Sequence, residues 1–176
     1  MIELVLFDMD GLSSKWRTRI IDKYVPHMTI DELNKHTDKG NIIRSIYDKE
    51  PDFFLNLEII PDFLELFEGV RELGLPIGWL TAIDQNHRDT ERVKSNKWNW
   101  VKENIDKRYG TSTRFQMVFV DESADKAMYA EPTYCLIDDY YQNCNGFIAA
   151  GGKAICVGED DAYDAQDVLH QLKELM

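Results

Sequence analysis

Leu4-Val5-Leu6-Phe7-Asp8-Met9-Asp10-Gly11-Leu12 is the stretch on which the fold of this chain turns. An apolar run from Ile2 to Phe7, broken only by Glu3, stops at two carboxylates one residue apart. A short run of this kind, rich in β-branched and aromatic side chains, reads as a buried strand. Gly11 lets the chain leave that strand in a conformation that a Cβ resists. Asp8 and Asp10 then stand at the carboxyl tip of a buried strand, where open α/β sheets hold their ligands. Two carboxylates this close repel unless a positive charge lies beside them or one is protonated. Mg2+, which favours hard oxygen ligands, meets that requirement. Taken alone, the pair reads equally well as a polar strand end followed by a turn, because Asp and Gly are common turn residues.

Downstream of this stretch, residues 13–57 carry helical spacing in small pieces and no strand pattern. Trp16, Ile20, Ile21, Tyr24 and Val25 recur at helical intervals, and Pro26 ends that helix near Tyr24. Thr29 with Glu32 three residues on is a capping box that opens a second short helix. Ile42, Ile43, Ile46 and Tyr47 mark a third. Regular alternation resumes at Pro61, which starts a helix that Gly74 closes. Strands are expected at Leu75 to Leu80, Gln116 to Val120, Thr133 to Ile137 and Lys153 to Val157, with a helix through Trp98 to Ile105 and another from about Ala162 to Leu175. This alternation predicts an α/β fold, a doubly wound, Rossmann-like parallel sheet. The whole chain, 1–176, reads as one domain, with 13–57 as a small helical cap inserted after the first strand.

Composition limits the function classes. The 176 residues are 44% hydrophobic and 30% charged, as in globular rather than disordered chains. Formal charge is 20 − 32 = −12, which disfavours a nucleic acid polymer or an anionic membrane as partner. Three cysteines, Cys135, Cys144 and Cys156, show no zinc-type spacing and read as reduced, buried thiols. The first residues lack a basic region, and their apolar run is too short for a signal peptide or a membrane span. A cytoplasmic protein is expected. The sequence leaves oligomeric state open, a homodimer included. The acidic run Glu159-Asp160-Asp161 reads as a solvated helix start.

In a parallel sheet all carboxyl tips face one way. The first strand ends at Asp8-Met9-Asp10, the second at Thr81-Ala82 and the fourth at Asp138-Asp139, with Lys126 between the third and fourth. These groups converge on one crevice, and each has a use against a phosphate ester. Asp8 can attack phosphorus and form an acyl phosphate. Asp10 can protonate the leaving alkoxide and later deprotonate water. Thr81 and Lys126 offer a hydroxyl and a charge to phosphoryl oxygens. Asp138 and Asp139, with Asp8 and the Asp10 carbonyl, can hold Mg2+.

The DMDGL start, the strand-two Thr, the lone Lys before strand four and the LIDD ending resemble the haloacid dehalogenase superfamily of phosphotransferases. Lys97-Trp98-Asn99-Trp100-Val101 resembles the K-x-x-W-V segment of the 5′(3′)-deoxyribonucleotidases, and Phe53 to Glu58 with Pro61 resembles the end of their helical cap. The likeness runs from Ile2 to about Val157. It implies a Mg2+-dependent phosphomonoesterase acting on a deoxyribonucleoside monophosphate. It further implies Asp8 as nucleophile, Asp10 as general acid and base, Thr81, Ala82, Lys97 and Lys126 around the phosphate, and Asp138 and Asp139 at the metal. Trp16, with Phe53 or Phe54 opposite, would hold the nucleobase. Two features depart from the family. Ala82 and Ile83 stand where it usually has Ser and Pro, and Ser123-Ala124-Asp125 stands where it tends to place an Arg. Two other readings stay open, a phosphatase for a sugar phosphate or other small ester, and a noncatalytic binding module on the same fold.

Overall fold

In the computed structural model, which describes residues 1–176, β1 (Leu4–Phe7) lies at the centre of the sheet. Three helices follow it: α1 (Trp16–Tyr24), α2 (Ile30–Lys35) and α3 (Lys39–Lys49). The chain then runs through α4 (Pro61–Glu72), β2 (Ile77–Ala82) and α5 (Thr90–Val101). A wider π turn, Lys102–Asp106, carries α5 into a last helical turn, α6 (Lys107–Tyr109). After β3 (Met117–Val120) a 3-10 stretch, Ser123–Tyr129, leads to β4 (Tyr134–Asp138), α7 (Tyr141–Ala149), β5 (Lys153–Cys156) and α8 (Ala165–Leu175). The strand order is β3-β2-β1-β4-β5, every pair parallel.

The order explains the composition of β1. A strand hydrogen-bonded on both sides and covered on both faces needs apolar side chains at successive positions. Val5 and Phe7 face one layer, where Phe63, Phe67 and Val70 of α4 and Leu169 and Leu172 of α8 pack. Leu6 faces the other, with Leu80, Leu136 and Phe147 of α7. Phe7 meets Phe63 edge to face at 5.1 Å and Trp79 at 5.8 Å, separations at which aromatic pairs attract.

The helical segment between β1 and α4 is tied at its base. Lys15 N–H donates to the Glu58 carbonyl and Ile60 N–H to the Ser13 carbonyl, so entry and exit strands bridge at Ser14 and Ile59. Thr29 and Glu32 form the expected capping box. Gly11 adopts φ +90°, and a Cβ there would run into Asp139 and Arg17, so only glycine lets the chain turn this close to the second carboxylate pair. No helix is long and apolar enough to cross a membrane.

Two local expectations change. α8 starts at Ala165, not at Ala162, because Asp164 accepts from Gln166 N–H and Asp167 N–H and so caps it. The acidic run before it is not merely solvated: Asp161 is buried, accepting from Arg17 and from Thr18 N–H. α7 has no counterpart in the sequence reading, since its short segment mixes buried Asn143, Cys144 and Phe147 with exposed Tyr141 and Ile148.

Candidate active site

The carboxyl tips of β1, β2 and β4 and the 3-10 stretch after β3 meet beneath the helical segment. Asp8 is buried, its backbone N–H donating to Ile137 O on the neighbouring strand. Lys126 reaches it from the 3-10 stretch. Its Nζ donates at 2.7 Å to Asp8 Oδ1 and at 2.6 Å to Asp138 Oδ2. Burial alone would lower the Lys126 pKa, but the Asp8 and Asp138 charges outweigh it and raise the value. Asp138 is further held by Tyr140 N–H and by the Asn143 side chain, which donates to both carboxylate oxygens at 3.1 Å. Asp139 accepts from Arg17 Nη1 at 2.5 Å. Ligand oxygens of Asp8, Asp138 and Asp139 all lie within 4.8 Å of one another.

Three buried carboxylates at this spacing are costly unless neutralised. Burial raises the Asp138 and Asp139 pKa values, against the pull of Lys126 and Arg17 respectively, and Asp8 adds to the rise. Lys126 and Arg17 bring two positive charges to three carboxylates. A hard divalent cation suits this all-oxygen set.

Asp10 has a different environment. Its Oδ2 accepts from Lys97 Nζ at 2.6 Å, while its buried Oδ1 has no partner. Burial raises its pKa above the ordinary carboxylate value; Lys97 opposes the rise and Asp8 reinforces it. Lys97, wholly buried on α5, also donates to Thr81 Oγ1 at 2.9 Å and to the Ala82 carbonyl at 2.8 Å. An ammonium has three donors, and all three are engaged.

Above these groups opens a crevice of about 800 Å3. Asp8, Asp10, Ala82, Lys126 and Asp139 line its floor, and Trp16 its helical wall. Asp138, Thr81 and Lys97 lie behind that floor, in contact with it rather than in the lining. Phe53 and Phe54 are placed elsewhere. Both are fully buried around Tyr47, ring centroids 5.2 Å from it, and neither reaches the crevice. As base-stacking walls they are corrected to core residues, because the helical segment is too thin to bury its own centre without them. Trp16 lines the crevice but is only 8% exposed. Its Nε1 donates to the Tyr47 hydroxyl, which donates to Asp84.

Some site residues have no place in the sequence reading. Arg17 is one, a cation on the buried side of α1 beside Trp16 and Ile20. That misplaced charge was the available signal, since an arginine at a core position needs carboxylate partners. Asn143, five residues beyond Asp138, carries no signal because α7 itself is not legible.

No protein-family model and no curated protein matches the chain. Solved structures do resemble it. A haloacid dehalogenase-like family hydrolase from Xanthomonas campestris has TM-score 0.61 at 15% identity, covering 99% of this chain and 96% of that one. A phosphonoacetaldehyde hydrolase-like protein from Oleispira antarctica has TM-score 0.56 at 14% identity, covering 99% and 81%. An L-2-haloacid dehalogenase has TM-score 0.55 at 14% identity, covering 98% and 100%. At these identities the likeness establishes the fold, the α/β architecture of haloacid dehalogenase-like hydrolases. Folds host many chemistries, so function rests on the site.

Proposed function

We propose that the chain is a Mg2+-dependent phosphomonoester hydrolase working through an aspartyl-phosphate. The observation that carries this reading is the pairing of two unlike carboxyl groups at one strand tip. Asp8 is held by Lys126 beside two further carboxylates, and Asp10 is held by Lys97 with one oxygen free and its pKa raised. Two neighbouring carboxyl groups held this differently suit different roles, Asp8 as nucleophile and Asp10 as acid.

An Asp8 oxygen attacks phosphorus and the ester P–O bond breaks. Asp10 gives its proton to the departing alkoxide oxygen. Asp10, now a carboxylate, takes a proton from water as that water attacks the same phosphorus, which frees Asp8 and phosphate. Lys126 supplies positive charge beside Asp8; at the end of β2, Ala82 lines the crevice floor, while Thr81 lies behind it with its hydroxyl accepting from Lys97. Asp8, Asp138 and Asp139, with the Asp10 carbonyl, would hold Mg2+, which when bound neutralises phosphoryl charge. The dehalogenase chemistry named for one structural neighbour fits less well. Halide leaves as a stable anion and has no use for a cation site of three buried carboxylates.

Lys97 is saturated by Asp10, Thr81 and Ala82, so we assign it to positioning Asp10 rather than to the phosphate. The helical segment serves as a cap over the ester's remainder. The K-x-x-W-V likeness favours a deoxyribonucleoside monophosphate there. The crevice lining favours a second reading, a sugar phosphate or other small polar ester, because charged and amide side chains dominate it. Two assays test the proposal. Hydrolysis of p-nitrophenyl phosphate with Mg2+, abolished by EDTA, is expected; no turnover under these conditions leaves only a binding module. A panel of nucleoside monophosphates and sugar phosphates then decides between the substrate readings.

A further inference from the structure

We propose that Lys39 selects substrates carrying a carboxylate at the end away from the ester phosphate, that is, phosphorylated hydroxy acids. The inference rests on the phosphomonoesterase reading and names the substrate class of that site. The helical wall of the crevice carries three cations, Arg17, Lys35 and Lys39. Arg17 is matched by Asp139, Asp161 and Glu159. Lys35 pairs with Asp31. Lys39, at the start of α3, has neither an ion pair nor a side-chain hydrogen bond, although the chain carries twelve more acids than bases.

Its position makes this costly. Burial lowers the Lys39 pKa and the neighbouring Arg17 lowers it further; the carboxylates of Glu159, Asp139 and Asp84 oppose this without cancelling it. A half-buried ammonium in a crevice wall, without a counter-ion of its own, is placed to take an anion from the crevice. Lys39 Nζ sits 5.5 Å from the Trp16 ring centroid, and the Arg17 guanidinium 5.6 Å from it. Both cations lie over the indole against which a nucleobase would have to stack. One free positive charge matches one carboxylate. A second phosphate dianion would exceed it and meet Asp31, Glu159 and Asp160 in the same lining.

Two matched pairs differ only by CH2OH against carboxylate: glycerol 3-phosphate with 3-phosphoglycerate, and sorbitol 6-phosphate with 6-phosphogluconate. The quantity read is the ratio of kcat/KM within each pair. Wild type is expected to favour the acid at least ~10-fold in one pair, the scale of a charge-assisted hydrogen bond. Lys39→Met should collapse that ratio to about 1 through KM, and Lys39→Arg should restore most of it. A general folding defect lowers both members together and leaves the ratio alone. Equal use of both members in both pairs by wild type, or a ratio that survives Lys39→Met, overturns the proposal. If p-nitrophenyl phosphate is not hydrolysed, the phosphomonoesterase reading fails. Calorimetric binding of the same pairs to wild type and Lys39→Met then decides the Lys39 inference by the same criteria.

Discussion

At the scale of single residues, the site separates two carboxyl groups by what holds them. Asp8 faces Lys126 beside Asp138 and Asp139; Asp10 faces Lys97 and keeps one oxygen unpaired. Asp8→Asn keeps the shape and removes the proposed nucleophile, so activity is expected to fall at least ~10³-fold. Near-normal turnover of p-nitrophenyl phosphate by that variant would rule out the covalent route. Lys97→Met tests the second carboxyl group. Lys97 opposes the burial that raises the Asp10 pKa, so its loss raises that pKa further. Asp10 must be deprotonated to act as base towards water, and the acid limb of the kcat profile should therefore move to higher pH. Turnover at pH 7 should drop about 10²-fold, a low-end loss of acid–base catalysis, with phosphoenzyme accumulating. An unmoved acid limb would leave Lys97 a packing residue.

At the scale of elements, the helical segment is held together by charges as much as by its aromatic centre. Glu50, at the end of α3, accepts from Arg19, Lys23 and Tyr24 of α1 and from Asn56. Burial alone would raise its pKa, but those hydrogen bonds outweigh it and bring the value to about 2, from an ordinary 4.5. A carboxyl group whose pKa is lowered by folding stabilises the fold above its unfolded value. The Glu50 contribution is thus complete above about pH 4.5 and fades as pH falls towards 2. Glu50→Gln should cost about 1.5–3 kcal/mol at pH 7, the range for hydrogen bonds to a charged group. Melting temperatures of the two proteins should converge between pH 4.5 and 2. A deficit that stays constant over that window would mean that packing, not charge, ties α1 to α3.

At the scale of the molecule, a chain with formal charge −12 gathers three buried carboxylates at the mouth of its sheet. A cation that binds only the folded state stabilises it by mass action, about 2.7 kcal/mol at a hundredfold excess over Kd. Millimolar Mg2+ should raise Tm by several degrees and EDTA should reverse it. The comparison must be made at equal ionic strength, because salt alone screens the self-repulsion of so acidic a chain. Asp139→Asn should shrink the Mg2+ shift. An equal shift from NaCl of matched ionic strength would count against a specific site.

The sequence by itself determined the parallel sheet and the convergence of Asp8, Asp10, Lys126, Asp138 and Asp139. Strand tips follow from apolar runs that stop at polar residues, and parallel connection places those tips together whatever the packing between them. Pairing partners were a different matter. That Lys97 turns to Asp10, that Arg17 crosses to Asp139 and Asp161, and that Phe53 and Phe54 fill the helical segment instead of lining the crevice depends on how the helical segment closes over the sheet. α7 also emerged only there, since its apolar spacing is too sparse to mark a helix and it forms by packing over β4 and β5. Local pattern carries the backbone, because hydrophobic period is a property of neighbours in sequence. Which charge meets which is decided between segments 87 to 144 residues apart, where no local pattern reaches.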